Sequence, residues 1–186
     1  MQLTTRARRR LAVGAALACA AIATPVAIAA SAASGAPAHP AAAAAPGCRA
    51  AATEVWLGLP GNGAAGTTFY QLEFSNIGRG TCTLFGHPGV SGVDRSGHQA
   101  GLPASWTGVP RTVTLAPGAT SHVILAVTST GSLCTNPVTA ARLRVYPPGQ
   151  TVAKPVFLSV QVCPHRVTLR VAPVRAGTGV PGFTTS

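Results

Sequence analysis

The sequence predicts an all-β domain, a two-sheet immunoglobulin-like β-sandwich of roughly seven to nine short antiparallel strands, preceded by a disordered N-terminal signal and linker. Three observations predict it. Apolar and polar residues alternate with a period of two in short runs between Glu54 and Val174. Clusters of Gly, Pro, Asn and Asp separate those runs. No segment among them carries the period of an amphipathic helix. A closed barrel is the alternative that the same pattern leaves open.

The chain opens on Arg6, Arg8, Arg9 and Arg10 without an acid, followed by an apolar run from Leu11 to about Ala30. Positive, then apolar, then small is the order of a secretory signal, so residues 1–30 are expected to be a signal peptide cleaved near residues 29–32. The run is about long enough to span a bilayer if kept, since that takes roughly 20 residues; Pro25 and the Ala/Ser-rich end favour removal over a permanent anchor. The arginines partly match a twin-arginine signal. Cys19 follows Ala16, Leu17 and Ala18, lacks the large aliphatic residue of a lipidation site, and is read as part of the signal. Residues 31–47 are almost wholly Ala, Pro and Gly with little to bury, and form a linker in which His39 is incidental.

The strands follow in order. Tyr70, Leu72 and Phe74 alternate with Phe69, Gln71, Glu73 and Ser75, which places Glu73 on a solvent face. Val113 and Leu115 alternate with threonines, and Val123, Leu125 and Val127 mark the next strand. Leu143 and Val145 sit between Arg142 and Arg144. Leu158, Val160 and Val162 flank Ser159 and Gln161, and a last strand is expected from Arg166 to Val171. Pro117-Gly118 and Pro148-Gly149 suit the centre of type II turns. Residues 48–174 are thus one domain with its own core, followed by a flexible tail at 175–186.

Removing residues 1–30 leaves ten basic residues against three acids, so the mature chain stays near +7. Arginine outnumbers lysine thirteen to one and alanine is abundant, the usage of a GC-rich genome, so part of the basic character is codon bias. Cys48, Cys82, Cys134 and Cys163 all lie downstream of the signal, and an even set in an exported chain reads as a disulfide framework.

Several phrases in order carry a resemblance: Cys48; Gly63-Ala64-Ala65-Gly66; Asn76-Ile77-Gly78; Cys82-Thr83-Leu84; Gly86-His87-Pro88-Gly89-Val90; Leu115-Ala116-Pro117-Gly118; Cys134; Leu143 to Pro148; Cys163; and Pro173-Val174. Together they resemble the actinobacterial exported domain family of unknown function numbered 4232, over about two thirds of the chain. The resemblance implies a secreted or membrane-tethered β-sandwich with no assigned activity and no catalytic residues to carry over. Many relatives are lipoproteins, and the chain departs from them in lacking a lipobox. Of the three connectivities four cysteines allow, sequential pairing is expected, Cys48 with Cys82 and Cys134 with Cys163.

Catalysis finds little footing. Acid/base hydrolysis usually needs two carboxylates across a substrate, and Glu54, Glu73 and Asp94 are scattered over a strand start, a strand face and a turn. His87, Asp94 and His98 cluster within twelve residues, the alternative site for a small hydrolase or metal-binding protein, with Ser91 as a formal nucleophile. No nucleophile elbow, HExxH or CxxC spacing accompanies them. No catalytic residue, metal or cofactor is expected.

Recognition is the expected role. If the strand at Arg142–Tyr146 shares a sheet with the last strand, then Arg142, Arg144, Arg166 and Arg170 form one solvent face, and arginine grips phosphate or carboxylate with two parallel hydrogen bonds. The expected partners are anionic cell-envelope polymers, acidic headgroups or another envelope protein, without stable membrane insertion after cleavage. Nucleic acid is not expected, given few aromatics and an extracellular address. Trp106, in the Pro-bounded loop 102–110, is read as a plug at the sandwich end or an exposed sugar-stacking residue.

Overall fold

Alternating β-branched and aromatic runs, too short to fill more than one layer each, build two layers around a shared core. The computed structural model describes residues 44–58 and 61–179; the expected signal and most of the linker and tail lie outside them. After a 3-10 turn at Ala50–Ala52, the strands are β1 (Thr53–Leu57), β2 (Asn62–Ala64), β3 (Thr67–Asn76), β4 (Cys82–Phe85), β5 (Gly89–Val93), β6 (Gln99–Ala100), β7 (Ser105–Trp106) and β8 (Thr112–Leu115). They continue as β9 (Thr120–Thr128), β10 (Val138–Ala140), β11 (Arg142–Tyr146), β12 (Lys154–Val156), β13 (Val160–Val162), β14 (Leu169–Val171) and β15 (Arg175–Ala176).

The large sheet runs β1-β3-β9-β14-β7, with β2 added to β3 and β15 to β9. Opposite it stands a four-stranded sheet, β12-β11-β5-β6, accompanied by the ribbons β4-β8 and β10-β13. Leu72, Phe74, Val123, Leu125, Leu169 and Val171 from the large sheet meet Leu84, Val90, Leu115, Leu143, Val145 and Val162 in one buried cluster. The fold class is therefore the all-β sandwich that the alternation predicts. Neither multi-stranded sheet closes on itself, so no barrel forms.

The strand inventory differs from expectation. Fifteen segments replace seven to nine because Gly and Pro cut the edges into pieces of two to five residues. One pairing between strands of the described residues is parallel, with Arg170 opposite Ser105 and Val171 opposite Trp106. The last strand before the tail is only Leu169–Val171, and Arg166 stands before it in a bend. Gly118 (φ 79°) and Gly149 (φ 72°) take the left-handed conformation that their turns demand.

Two disulfides clamp the layers: Cys48–Cys82 ties the approach to β1 onto β4, and Cys134–Cys163 ties the loop after β9 to the end of β13. Main-chain bonds from Cys48 N to Thr83 O and from Thr83 N to Pro46 O reinforce the first junction.

Glu73 is fully buried, not solvent-facing as its alternation suggests. The segment read as a flexible tail covers it. β15 pairs with β9, placing Arg175 opposite His122. Gly179 N then donates to Glu73 Oε1 at 3.2 Å, Gln71 Nε2 donates to Gly179 O, and His122 Nδ1 lies 2.8 Å from Gly177 O. Glu73 Oε2 is buried without a partner. Burial pushes the Glu73 carboxyl above the ordinary carboxylate range, against the opposing pull of the Gly179 amide and of His122.

Candidate anion-binding site

The strand β11 reads Arg-Leu-Arg-Val-Tyr, and its pleat sends Leu143 and Val145 into the core while Arg142, Arg144 and Tyr146 stay half-exposed. β5 and β12 flank it, with Arg144 between Ser91 and Pro155 and with Arg142 opposite Val93. Val93 is buried, so the arginine stems lie over an apolar floor. Arg144 Nη2 donates to Gly97 O at 2.8 Å, which fixes its guanidinium against the turn between β5 and β6. A Cβ placed on Gly97 would stand 3.6 Å from Arg142 Nη2, so the second guanidinium passes the same turn.

A cleft of about 330 Å³ opens beside these arginines. Lys154 and Pro155 from β12 form its second wall, and Phe157, 82 % exposed, stands at its rim. The nearest acid in sequence, Asp94, is engaged elsewhere: its Oδ1 accepts from His98 N at 2.9 Å and its Oδ2 lies 3.8 Å from His98 Nδ1. No carboxylate forms an ion pair with Arg142, Arg144 or Lys154 among the described residues. Arg142 and Arg144 thus face one concavity that Lys154 also lines, and both arginines carry planar forks suited to oxyanions.

The expected four-arginine face does not form. Arg142 and Arg144 lie in the four-stranded sheet, whereas Arg170 lies on β14 in the large sheet and Arg166 in the bend before it. The premise fails at the topology, because β14 pairs with β9 and β7 and never with β11. Lys154 and Phe157 take the vacated places in the set. Their signal in the sequence is slight, since β12 is three residues long and one of them is Pro155.

The alternative cluster also separates. Asp94 and His98 close the β5–β6 turn, where Asp94 N donates to His98 O. His87 instead stacks on Trp106, ring centroids 5.4 Å apart and planes 7° from parallel. Ser91 sits on β5 opposite Arg144. No group of three or more His, Cys, Asp or Glu is placed to hold a metal ion among the described residues. Trp106 does not plug the sandwich end; it is 66 % exposed.

A family model described as Domain of unknown function (DUF4232) matches residues 48–175. No curated protein matches the chain, and no solved structure does.

Proposed function

We propose, for a chain that belongs to the domain-of-unknown-function family DUF4232, a secreted, non-catalytic binding or structural module of the cell envelope that contacts anionic polymers through the Arg142/Arg144/Lys154 cleft. The single observation that carries this reading is the pairing of Arg142 and Arg144, without carboxylate partners among the described residues, on one concavity with a fixed guanidinium. A preorganised fork loses less freedom on binding than a free side chain.

The address follows from the arginine-led apolar N-terminus, a secretory pattern. Two disulfides suit an oxidising compartment, and no helix among the described residues is long and apolar enough to cross a membrane. The reading as a small hydrolase or metal-binding protein draws no support from a His87 that stands apart from Asp94 and His98.

The test is binding of the protein to soluble polyphosphate and polyuronate at two salt concentrations. The expected result is an affinity that falls with salt and falls roughly tenfold or more in R142E/R144E. Salt-independent binding, or binding unchanged by the double reversal, overturns the reading.

A further inference from the structure

Segments 85–88 and 106–112 lie side by side along one edge of the sandwich. Trp106 Nε1 donates to Pro88 O at 3.2 Å, His87 Nε2 lies 2.8 Å from Thr107 O, and Gly86 N donates to Arg111 O at 2.9 Å. Phe85 then pairs with Thr112. Between Thr107 and Arg111 the second segment holds three residues with no counterpart, Gly108, Val109 and Pro110, and Gly108 (φ 77°) turns them outward. Phe85 (63 % exposed), Trp106 (66 %) and Val109 (76 %) are therefore presented along one edge, outside the core.

The edge is rigid. His87 stacks against one face of the indole, β7 pairs with β14, and Thr107 N and Oγ1 both donate to Val171 O. It is also poor in unsatisfied polar groups, because the indole N–H has its acceptor and Pro110 has no N–H. Such a surface enters a low-dielectric medium at small desolvation cost. Its charge is of one sign: Arg111 follows the tip and is exposed, and neither segment contains an acid.

We propose that this edge is an interfacial contact site for an acidic lipid surface, in which Val109, Trp106 and Phe85 enter the headgroup boundary and Arg111 meets lipid phosphates. Aromatic rings with a satisfied polar end settle at that depth, and basic residues beside them are drawn by acidic headgroups. A saccharide would use the flat indole and leave Val109 and Phe85 without a role. A cavity-seeking partner would find a projecting tip in place of a cavity. The site is separate from the Arg142/Arg144/Lys154 cleft and does not depend on it.

Trp56 and Trp106 are the two tryptophans of the chain, so W56F leaves Trp106 as sole reporter. In this background the full chain is mixed with vesicles containing brominated acyl chains, either pure phosphatidylcholine or an equal mixture with phosphatidylglycerol. The expected result is a blue shift and about twofold or greater quenching of Trp106 on the acidic vesicles, with the midpoint moved roughly tenfold or more by R111E. The local quenching reports the depth of this edge even if the N-terminal segment also binds lipid. Circular dichroism and thiol titration confirm that each variant is folded and oxidised. Trp106 emission unchanged by acidic vesicles overturns the proposal, as does quenching equal on both vesicle types and indifferent to R111E. A shift produced by soluble N-acetylglucosamine oligomers and not by vesicles overturns it in favour of a saccharide site.

Discussion

Gly92 shows how little tolerance the core has for a single methyl group. A Cβ there would stand 2.7 Å from Ala140 Cβ and 3.0 Å from Ala100 O, where β5 passes between β6 and the start of β11. G92A is expected to cost about 1–3 kcal/mol by overpacking, and A140G in the same chain to return part of that loss, measured by denaturant unfolding of the four-member cycle. An additive cycle would place the damage elsewhere. The core residues themselves are legible in the sequence, since Leu72 and Phe74 alternate with polar neighbours and are both fully buried. Trp106 was not, because its exposure depends on a stack with His87, a neighbour that a loop brings near and no periodicity announces.

Among the elements, β15 and the residues after it change the meaning of a strand face. Glu73 reads as a solvent-facing residue on β3, yet Gly179, 106 positions away, lies over it. No local pattern carries a contact of that range. Facing the carboxyl are His122 across from β9, Trp56 across from β1 and the Gly179 amide. Burial raises the folded-state pKa of Glu73, which fixes the sign of its contribution. Below the ordinary glutamate value, about 4.3, the group is protonated in both states and the stability is fully present; as pH rises through the raised folded-state value, that stability is lost. E73Q is expected to be more stable than the parent at neutral pH, with the difference vanishing toward acid, in parallel unfolding titrations. A difference that is constant with pH would show that folding does not raise the pKa of this carboxyl. The four-arginine face failed for a related reason: alternation tells which residues point outward but not which strands are neighbours, and β11 and β14 belong to different sheets.

For the whole molecule, the two cross-links take over work that a Gly- and Pro-rich chain cannot give to large side chains. Their sequence separations, 34 and 29 residues, are nearly equal, so the chain-entropy model assigns each about 3–4 kcal/mol. Replacing Cys48 and Cys82 by serine should lower the melting temperature about as far as replacing Cys134 and Cys163, and reductant should lower it further than either, followed by circular dichroism. A reductant-insensitive melt would mean that the layers hold without their clamps. The cysteine set was legible because the secretory pattern of the N-terminal sequence and an even count point the same way. The candidate cleft was legible only in part, through Arg142 and Arg144, since its other wall comes from the short edge strand β12. That wall also gives the molecule a chemical handle. Lys154 is the one lysine of the chain, so apart from the N-terminal amine, an amine-reactive cross-linker has a single place to attach, at the mouth of the cleft. Whatever it captures through that nitrogen lay within a linker's length of Lys154, which lines the same cleft as Arg142 and Arg144.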